Sequence, residues 1–331
     1  MKIMDCTLRD GANVVGKGFS GELTTLMIEG LIKSNIRIIE IGNCLGVGAY
    51  EANNSIAPLT DSEYMDIAAP YQSQAEIGMF MGYKNATKEN IELSANKGLK
   101  FLRIGVNAGD GEAAYEGIKR VKASGMKCYY SFMKGYILSA KDLAAEAARL
   151  EKCGLDEITI MDSAGTMMPD QVSEYVAEMV KAIDIPVAFH GHNNLGLSAA
   201  NAMAAAEAGA STLDTGLMGM ARSAGNLATE VAVAAFYRSN KLQEIDFYGL
   251  LHFIDNELAP AMKPYGYLSA IKPVDLIYGY AGCHSSFAKL FEQVAKEKDV
   301  DLYKLIVEVS AIDQKAPSVK LIEQVADRLK I

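Results

Sequence analysis

The sequence predicts an α/β protein, a (β/α)8 TIM barrel with a helical C-terminal extension, and three observations carry that prediction. Eight short runs rich in apolar and β-branched residues recur along the chain. Between them lie longer stretches of helical periodicity. No phosphate-binding glycine run follows the first strand, which favours a closed barrel over an open dinucleotide-binding sheet.

The expected strands are Ile3–Thr7, Ile36–Ile41, Ala75–Met81, Phe101–Val106, Lys127–Phe132, Glu157–Met161, Pro186–His190 and Thr212–Thr215. The helical stretches between and after them are Gly21–Ser34, Lys88–Lys97, Gly111–Ser124, Ala140–Lys152, Pro169–Ala182, Gly196–Ala208 and Gly225–Ser239. Gly98, Gly125, Gly154 and Gly209 stand at helix-to-strand returns, where a left-handed C-terminal cap suits glycine. The barrel is expected to end near Asn240, which divides the chain into a catalytic barrel, residues 1–240, and a helical C-terminal domain, residues 241–331. In the second part the strand rhythm disappears and helices are expected over Ile245–Leu258, Ser285–Lys298, Leu302–Val309 and Ser318–Lys330, interrupted by K-P-Y-G-Y at 263–267.

With 331 residues, 50% of them hydrophobic, the chain can bury a large core. A formal net charge of -9 argues against nucleic acid or an anionic membrane as the main partner, since both attract a basic face. The five cysteines, Cys6, Cys44, Cys128, Cys153 and Cys283, are scattered and never in C-x-x-C spacing, which fits reduced thiols. Met1–Met4 is too short and too soon charged to open a signal peptide, and the alanine-rich run Ala199–Ala210 carries Asn201 and Glu207 as a packed helix does. A cytoplasmic protein is expected.

Barrel enzymes place their chemistry at the carboxyl ends of the strands. Those ends carry Arg9 and Asp10, Asp162 and Ser163, His190 and His192, and Asp214 and Thr215. In F-H-G-H-N-N-L-G the two histidines stand at i and i+2 on an extended segment, so both imidazoles point to the same side. Only strand eight separates them from strand one, a gap of roughly 10 Å that side chains can close. Asp10, His190 and His192 can therefore form a facial site of one carboxylate and two imidazoles, suited to Mn2+, Mg2+, Co2+ or Fe2+. Asn226 can offer its carbonyl to such a metal or cap a helix, as can Ser223. The D-S-A-G-T stretch can be an Asx-type turn, or Ser163 and nearby amides can hold a substrate carboxylate.

Together T-L-R-D-G (7–11), D-S-A-G-T (162–166), H-G-H-N-N-L-G (190–196) and S-A-G-N-L-A-T-E (223–230) resemble the metal-dependent barrel lyases and Claisen synthases. That superfamily includes hydroxymethylglutaryl-CoA lyase, isopropylmalate synthase and 4-hydroxy-2-oxovalerate aldolase. A-G-C-H-S-S-F (281–287) resembles a C-terminal segment of the aldolases, which cleave 4-hydroxy-2-oxoacids to pyruvate and an aldehyde. The resemblance implies that Asp10, His190 and His192 bind a divalent metal, commonly Mn2+, with Mg2+ and Co2+ as alternatives. It also implies that Arg9 faces the oxygen that becomes an enolate, that Ser163 binds the pyruvate carboxylate, and that Asn226 is a further ligand. Cleavage builds negative charge on the ketone oxygen, and a metal and a guanidinium both stabilise it.

Two positions depart from the aldolase pattern. Asn13 stands where those enzymes carry a histidine base, and an amide cannot take a proton near neutrality. His284 stands where they carry a tyrosine, and imidazole has a suitable pKa for a base. The expectation is that the base has moved to His284 while Asn13 keeps a hydrogen-bonding role. Lys17, Arg103, Lys134 and Arg222 can reach the rim and recognise an anionic tail, and Lys134 is the candidate for a Schiff-base mechanism instead. A Claisen-type synthase or acyl-CoA lyase, and a non-catalytic metal-binding paralogue, are the competing functions. The resemblance further implies an aldehyde dehydrogenase partner, with a small oxo-acid as substrate, and a homodimer is expected.

Overall fold

The computed structural model describes residues 1–330. Eight parallel strands close into a barrel in sequence order: β1 (Lys2–Asp5), β2 (Ile38–Ile41), β3 (Glu76–Gly82), β4 (Phe101–Asn107), β5 (Lys127–Met133), β6 (Glu157–Asp162), β7 (Val187–Gly191) and β8 (Thr212–Thr215). The ring closes through β8 against β1, with Lys2 opposite Thr212 and Asp5 opposite Thr215. One helix follows each strand: α1 (Gly21–Lys33), α2 (Asp61–Ala68), α3 (Lys88–Asn96), α4 (Tyr115–Ala123), α5 (Ala140–Glu151), α6 (Pro169–Ala182), α7 (Ser198–Glu207) and α8 (Thr229–Tyr237).

Helix α2 is absent from the sequence expectation because eight residues give little periodicity. Its signal was a capping box: Thr60 accepts from the Glu63 amide while the Glu63 carboxylate accepts from the Thr60 amide. Helix α8 starts at Thr229, four residues later than Gly225. The delay leaves Asn226 in an extended bridge with His192, and neither Ser223 nor Asn226 caps the helix.

Inside the barrel the alternation of side chains builds two layers of different chemistry. Toward the amino ends, Met4, Phe101 and Tyr129 cluster with Ile38, and Cys6, just past β1, joins them to the charged layer through Arg103. Two residues beyond Ile38 and Phe101 come Glu40 and Arg103, joined by His190 of β7 and Asp214 of β8, all buried. A Cβ on Gly105 would lie 2.2 Å from the Phe80 ring, so glycine there admits the ring beneath the Arg9 guanidinium, 4.8 Å from its centroid.

Beyond Tyr237 the chain is helical: α9 (Phe247–Phe253), continued through a π-turn into α10 (Ala259–Met262), then α11 (Pro273–Ala281), α12 (Ala288–Lys298), α13 (Leu302–Ser310) and α14 (Val319–Leu329). Helix α11 was not expected from the sequence, although Pro273 occupies the first-turn position proline favours. Phe253 of α9 packs on Gly30 of α1, where a Cβ would meet the ring at 2.3 Å. His252 pairs with Asp301 at 2.8 Å and stacks on Tyr303, which fits a structural role.

Two buried glutamates make stability depend on pH. Glu230 accepts from the Met218 amide at 3.0 Å on one oxygen and has no partner on the other; burial pushes its carboxyl up to about 7. Glu157 accepts from the Thr212 hydroxyl at 2.7 Å, and burial likewise pushes it up to about 7. Each group is protonated in the folded chain where the unfolded chain has lost its proton. The resulting stability is complete below the ordinary value of 4.5 and is lost as pH rises through 7. Between about pH 5 and 7.5 the Tm of the wild type is expected to fall with rising pH, and that of Glu230→Gln to fall less, as scanning calorimetry across the range would show.

Candidate metal-binding active site

The carboxyl ends of β1 and β7 bring Asp10, His190 and His192 together, with one potential ligand atom from each lying within 4.8 Å of the others. Asp10 Oδ2 is 3.6 Å from His190 Nε2 and 3.7 Å from His192 Nε2, and all three residues are buried. The Asn226 side-chain amide donates to the same Asp10 oxygen at 2.8 Å, while Asn226 Oδ1 is buried without a partner.

Two buried arginines surround this cluster. Arg9 donates from Nε to Glu40 Oε1 at 2.5 Å and lies 3.2 Å from Asp10 through Nη1; its Nη2 is buried with no partner. Arg103 donates from Nε to the other Glu40 oxygen at 2.5 Å and from Nη1 to Asp214 Oδ2, and its Nη2 reaches the Cys6 sulfur at 3.2 Å. That same Asp214 oxygen is 3.0 Å from His190 Nδ1. Asp214 thus leaves His190 Nε2 directed at Asp10, the carboxylate–imidazole arrangement that orients metal ligands. Cys6, His190 and Asp214 also lie close enough to share an ion, but Arg103 already occupies the space between Cys6 and Asp214.

These contacts fix the protonation states. Burial favours neutral Asp10, yet Arg9, His190, His192 and the Asn226 amide hold its carboxyl well below the usual carboxylate range. Burial similarly opposes ionisation of Asp214, but Arg103 and His190 hold it at about 2. Arg103 and Arg9 lower Glu40 against its burial. Burial, with His190 alongside, lowers His192 to about 4, so its imidazole is neutral and able to donate a lone pair. Two arginines against the carboxylates of Asp10, Glu40 and Asp214 leave one net negative charge. That charge, two imidazoles, one carboxylate and an orphaned amide oxygen fit a divalent cation.

Other expected site residues are placed less directly. Asn13 lies in the turn Gly11–Val15 and donates to Asp10 O at 2.8 Å and to Asp10 Oδ1 at 3.4 Å. Ser163 sits half-buried at the rim, its hydroxyl accepting from the Lys134 amide at 2.9 Å. Its D-S-A-G-T loop is a side-chain-braced turn, in which Asp162 accepts from the Thr166 and Met167 amides. Gly165, with φ +58°, lets this loop press on the histidine segment, since a Cβ there would meet the His192 carbonyl at 2.6 Å. The Lys134 side chain is exposed. Arg103 is not a rim residue but is wholly buried inside the barrel.

His284 lies apart from this cluster. Tyr267, ahead of α11, donates to Met218 O beside the carboxyl ends of the strands. At the other end of α11, the Gly279 and Tyr280 carbonyls accept from Arg238, just past α8 at the amino ends of the strands. His284 follows there, exposed, its Nδ1 accepting from the Ser286 amide at 3.2 Å as a helix cap. Within one chain the barrel therefore separates His284 from Asp10.

A family model described as HMGL-like matches residues 1–255. The chain belongs to the HMGL-like family. It is 32% identical over 307 residues to "4-hydroxy-2-oxovalerate aldolase 2" of Rhodococcus jostii (strain RHA1), covering 93% of this chain and 89% of that one. The fold of this HMGL-like barrel also matches the N-terminal domain of a putative aldolase from Bacteroides vulgatus, with a TM-score of 0.69 at 24% identity over 81% of this chain and 89% of that one. Against the Bacillus subtilis HMG-CoA lyase the TM-score is 0.68 at 17% identity, covering 81% and 95%.

Glu40 was missed as a site residue, and Asp214 and Arg103 were read only as rim positions. Their signal was a charge in the middle of an apolar strand run, as in I-I-E-I and F-L-R-I.

Two outcomes follow from this geometry. Asp214→Asn is expected to weaken Mn2+ binding by about 10–100-fold, measured by isothermal titration, because His190 loses the carboxylate that orients it. His284→Ala is expected to leave aldolase turnover within about twofold of wild type, a surface change that a steady-state assay would check.

Proposed function

We propose that the chain is a divalent-metal-dependent aldolase that cleaves or forms a 4-hydroxy-2-oxoacid, giving pyruvate and an aldehyde. The observation that carries this reading is the unpartnered Nη2 of Arg9 beside the Asp10, His190 and His192 cluster. Glu40 and Asp10 hold the other two nitrogens, so the guanidinium is fixed before substrate arrives and keeps one donor for it. The aldolase name shared by relatives at about this level of identity across most of the chain supports the same reaction.

Asp10, His190, His192 and Asn226 would hold the cation. When bound, a divalent metal supplies Lewis acidity to the 2-oxo group and lowers the cost of charge developing there. The remaining work falls to the chain itself. As the 4-hydroxyl gives up its proton to water and its oxygen forms the aldehyde C=O, the C3–C4 electron pair moves toward the 2-oxo oxygen, to which Arg9 Nη2 donates; a proton taken from water at C3 then gives pyruvate. Arg9 is charged throughout, because Glu40 and Asp10 raise its pKa further against its burial. Ser163, whose hydroxyl proton is free to be donated, would receive the substrate carboxylate at the rim. Asn13, tied to Asp10, holds the turn that carries the carboxylate ligand.

We further read residues 1–240 as the catalytic barrel and 241–331 as a helical domain, separated by the loop between α8 and α9. A homodimer and an aldehyde dehydrogenase partner remain proposals of the same kind, as does a cytoplasmic location. Among the described residues no helix is long and apolar enough to cross a membrane.

The test is pyruvate release from 4-hydroxy-2-oxopentanoate with Mn2+ and after chelation, together with exchange of the pyruvate C3 protons in D2O. Both are expected to require the metal. Arg9→Lys is expected to lower kcat by about 10²–10³-fold while Mn2+ still binds, since the forked donor is lost and the ligands remain. Metal-independent cleavage, or an adduct trapped by borohydride at Lys134, would reject the reading.

A further inference from the structure

Four neighbouring strands present a row of small residues to the barrel interior. Register sets Gly105, Ser131, Thr159 and Ala188 side by side on β4, β5, β6 and β7. Tyr130 and Phe132 of β5 and Ile158 and Ile160 of β6 belong to the main hydrophobic core, so alternation turns Ser131 and Thr159 the other way, into the barrel. Tyr129, two residues before Ser131, already lies there with Met4 and Phe101, and Glu157, two before Thr159, meets the Thr212 hydroxyl. Ser131 and Thr159 are both wholly buried. Among the described residues Ser131 Oγ and Thr159 Oγ1 have no hydrogen-bond partner, not even each other.

Their place in the row joins the two halves of the site. On one flank the Phe80 ring fills the space at Gly105, next in register to Ser131, and the same ring lies under Arg9, 4.8 Å from its centroid. On the other flank Ala188, next to Thr159, stands two residues before His190 on β7. One strand and two residues separate Thr159 from His190, about 8 Å between Cα atoms, a gap that two side chains and a ligand oxygen fill. An oxygen held between Arg9 Nη2 and the His190 side of the site therefore has these two hydroxyls as its floor. A hydroxyl buried without a partner destabilises a fold, and an apolar side chain of the same shape removes that penalty. Two such hydroxyls side by side answer to a ligand rather than to folding.

We propose that Ser131 and Thr159 donate to the oxygen that becomes the enolate, forming with Arg9 Nη2 a three-donor cradle on the closed side of the substrate. The inference rests on the aldolase reading, which supplies the enolate. As the C3–C4 electron pair moves toward the 2-oxo oxygen, both hydroxyls keep their protons and their hydrogen bonds strengthen with the charge.

Thr159→Val and Ser131→Ala remove the hydroxyls with little change of shape. In the Mn2+-loaded full chain each is expected to weaken oxalate, which is planar and carries negative charge where the enolate does, by at least about tenfold in isothermal titration. Pyruvate, with a neutral carbonyl oxygen there, should lose less than about threefold, and Thr159→Ser should regain most of the oxalate affinity. For cleavage of 4-hydroxy-2-oxopentanoate, kcat is expected to fall by about 10–10²-fold with KM within about threefold. A role in folding would show in stability instead: without oxalate, the Tm of each loaded variant is expected at or above that of the wild type, because an orphaned hydroxyl has gone. No oxalate binding by the wild type, unchanged oxalate affinity in either variant, equal losses for oxalate and pyruvate, or a lowered Tm in either variant overturns the proposal. Pyruvate C3-proton exchange by the wild type is followed alongside: its absence rejects the aldolase reading, whereas the oxalate titrations and the Tm decide the hydroxyl pair by themselves.

Discussion

One guanidinium holds the site together. Arg103, wholly buried inside the barrel, binds Glu40 with one nitrogen and Asp214 with another. Glu40 in turn fixes Arg9, and Asp214 fixes His190. A buried charge without its partner costs several kcal/mol, about 3–5 in measured cases, so none of these groups can turn away independently. Facing residues of β2, β4, β7 and β8 are thereby tied across the barrel, and Arg9 and His190 reach the rim already oriented. Preorganisation of this kind spares a reaction the cost of arranging dipoles when charge develops.

The same network explains why the barrel interior is divided. The apolar cluster of Met4, Phe101 and Tyr129 fills the end where the strands begin, and the charged layer, with Cys6 against Arg103, lies above it, closed from solvent by the loops. Phe80 lies under Arg9 because Gly105 leaves room for its ring. Charges in such a dry layer interact strongly, which is why Asp10, Asp214 and Glu40 stay ionised against their burial while His192 stays neutral.

The barrel was legible in the chain because each strand is a compact apolar run bounded by turns, and parallel strands buried on both faces need that composition. Asp10, His190 and His192 were legible because residue type and strand end together restrict where a side chain can point. Helix α2 was not, since its eight residues are stabilised by the Thr60–Glu63 cap more than by any apolar stripe. The position of His284 was not legible, because a local motif, H-S-S-F, says nothing about which end of the barrel its helix reaches; that depends on α11 descending from Tyr267 to Arg238. Glu40 and Arg103 were obscured for a related reason. A lone charge in a strand reads as a rim residue until its partner, 63 positions away, is known.

From the order of residues alone came the closed barrel, the rim that bears the chemistry, and the three side chains fit to hold a metal. These depend on periodicity and on the alternation of a strand, which are local properties of a chain. Folding alone decided which nitrogens of Arg9 are already engaged, which oxygen of Asn226 is left without a partner, and on which side of the barrel His284 lies. Those are relations between elements distant in sequence, set by strand register and by the burial of charge, and no stretch of the chain contains them.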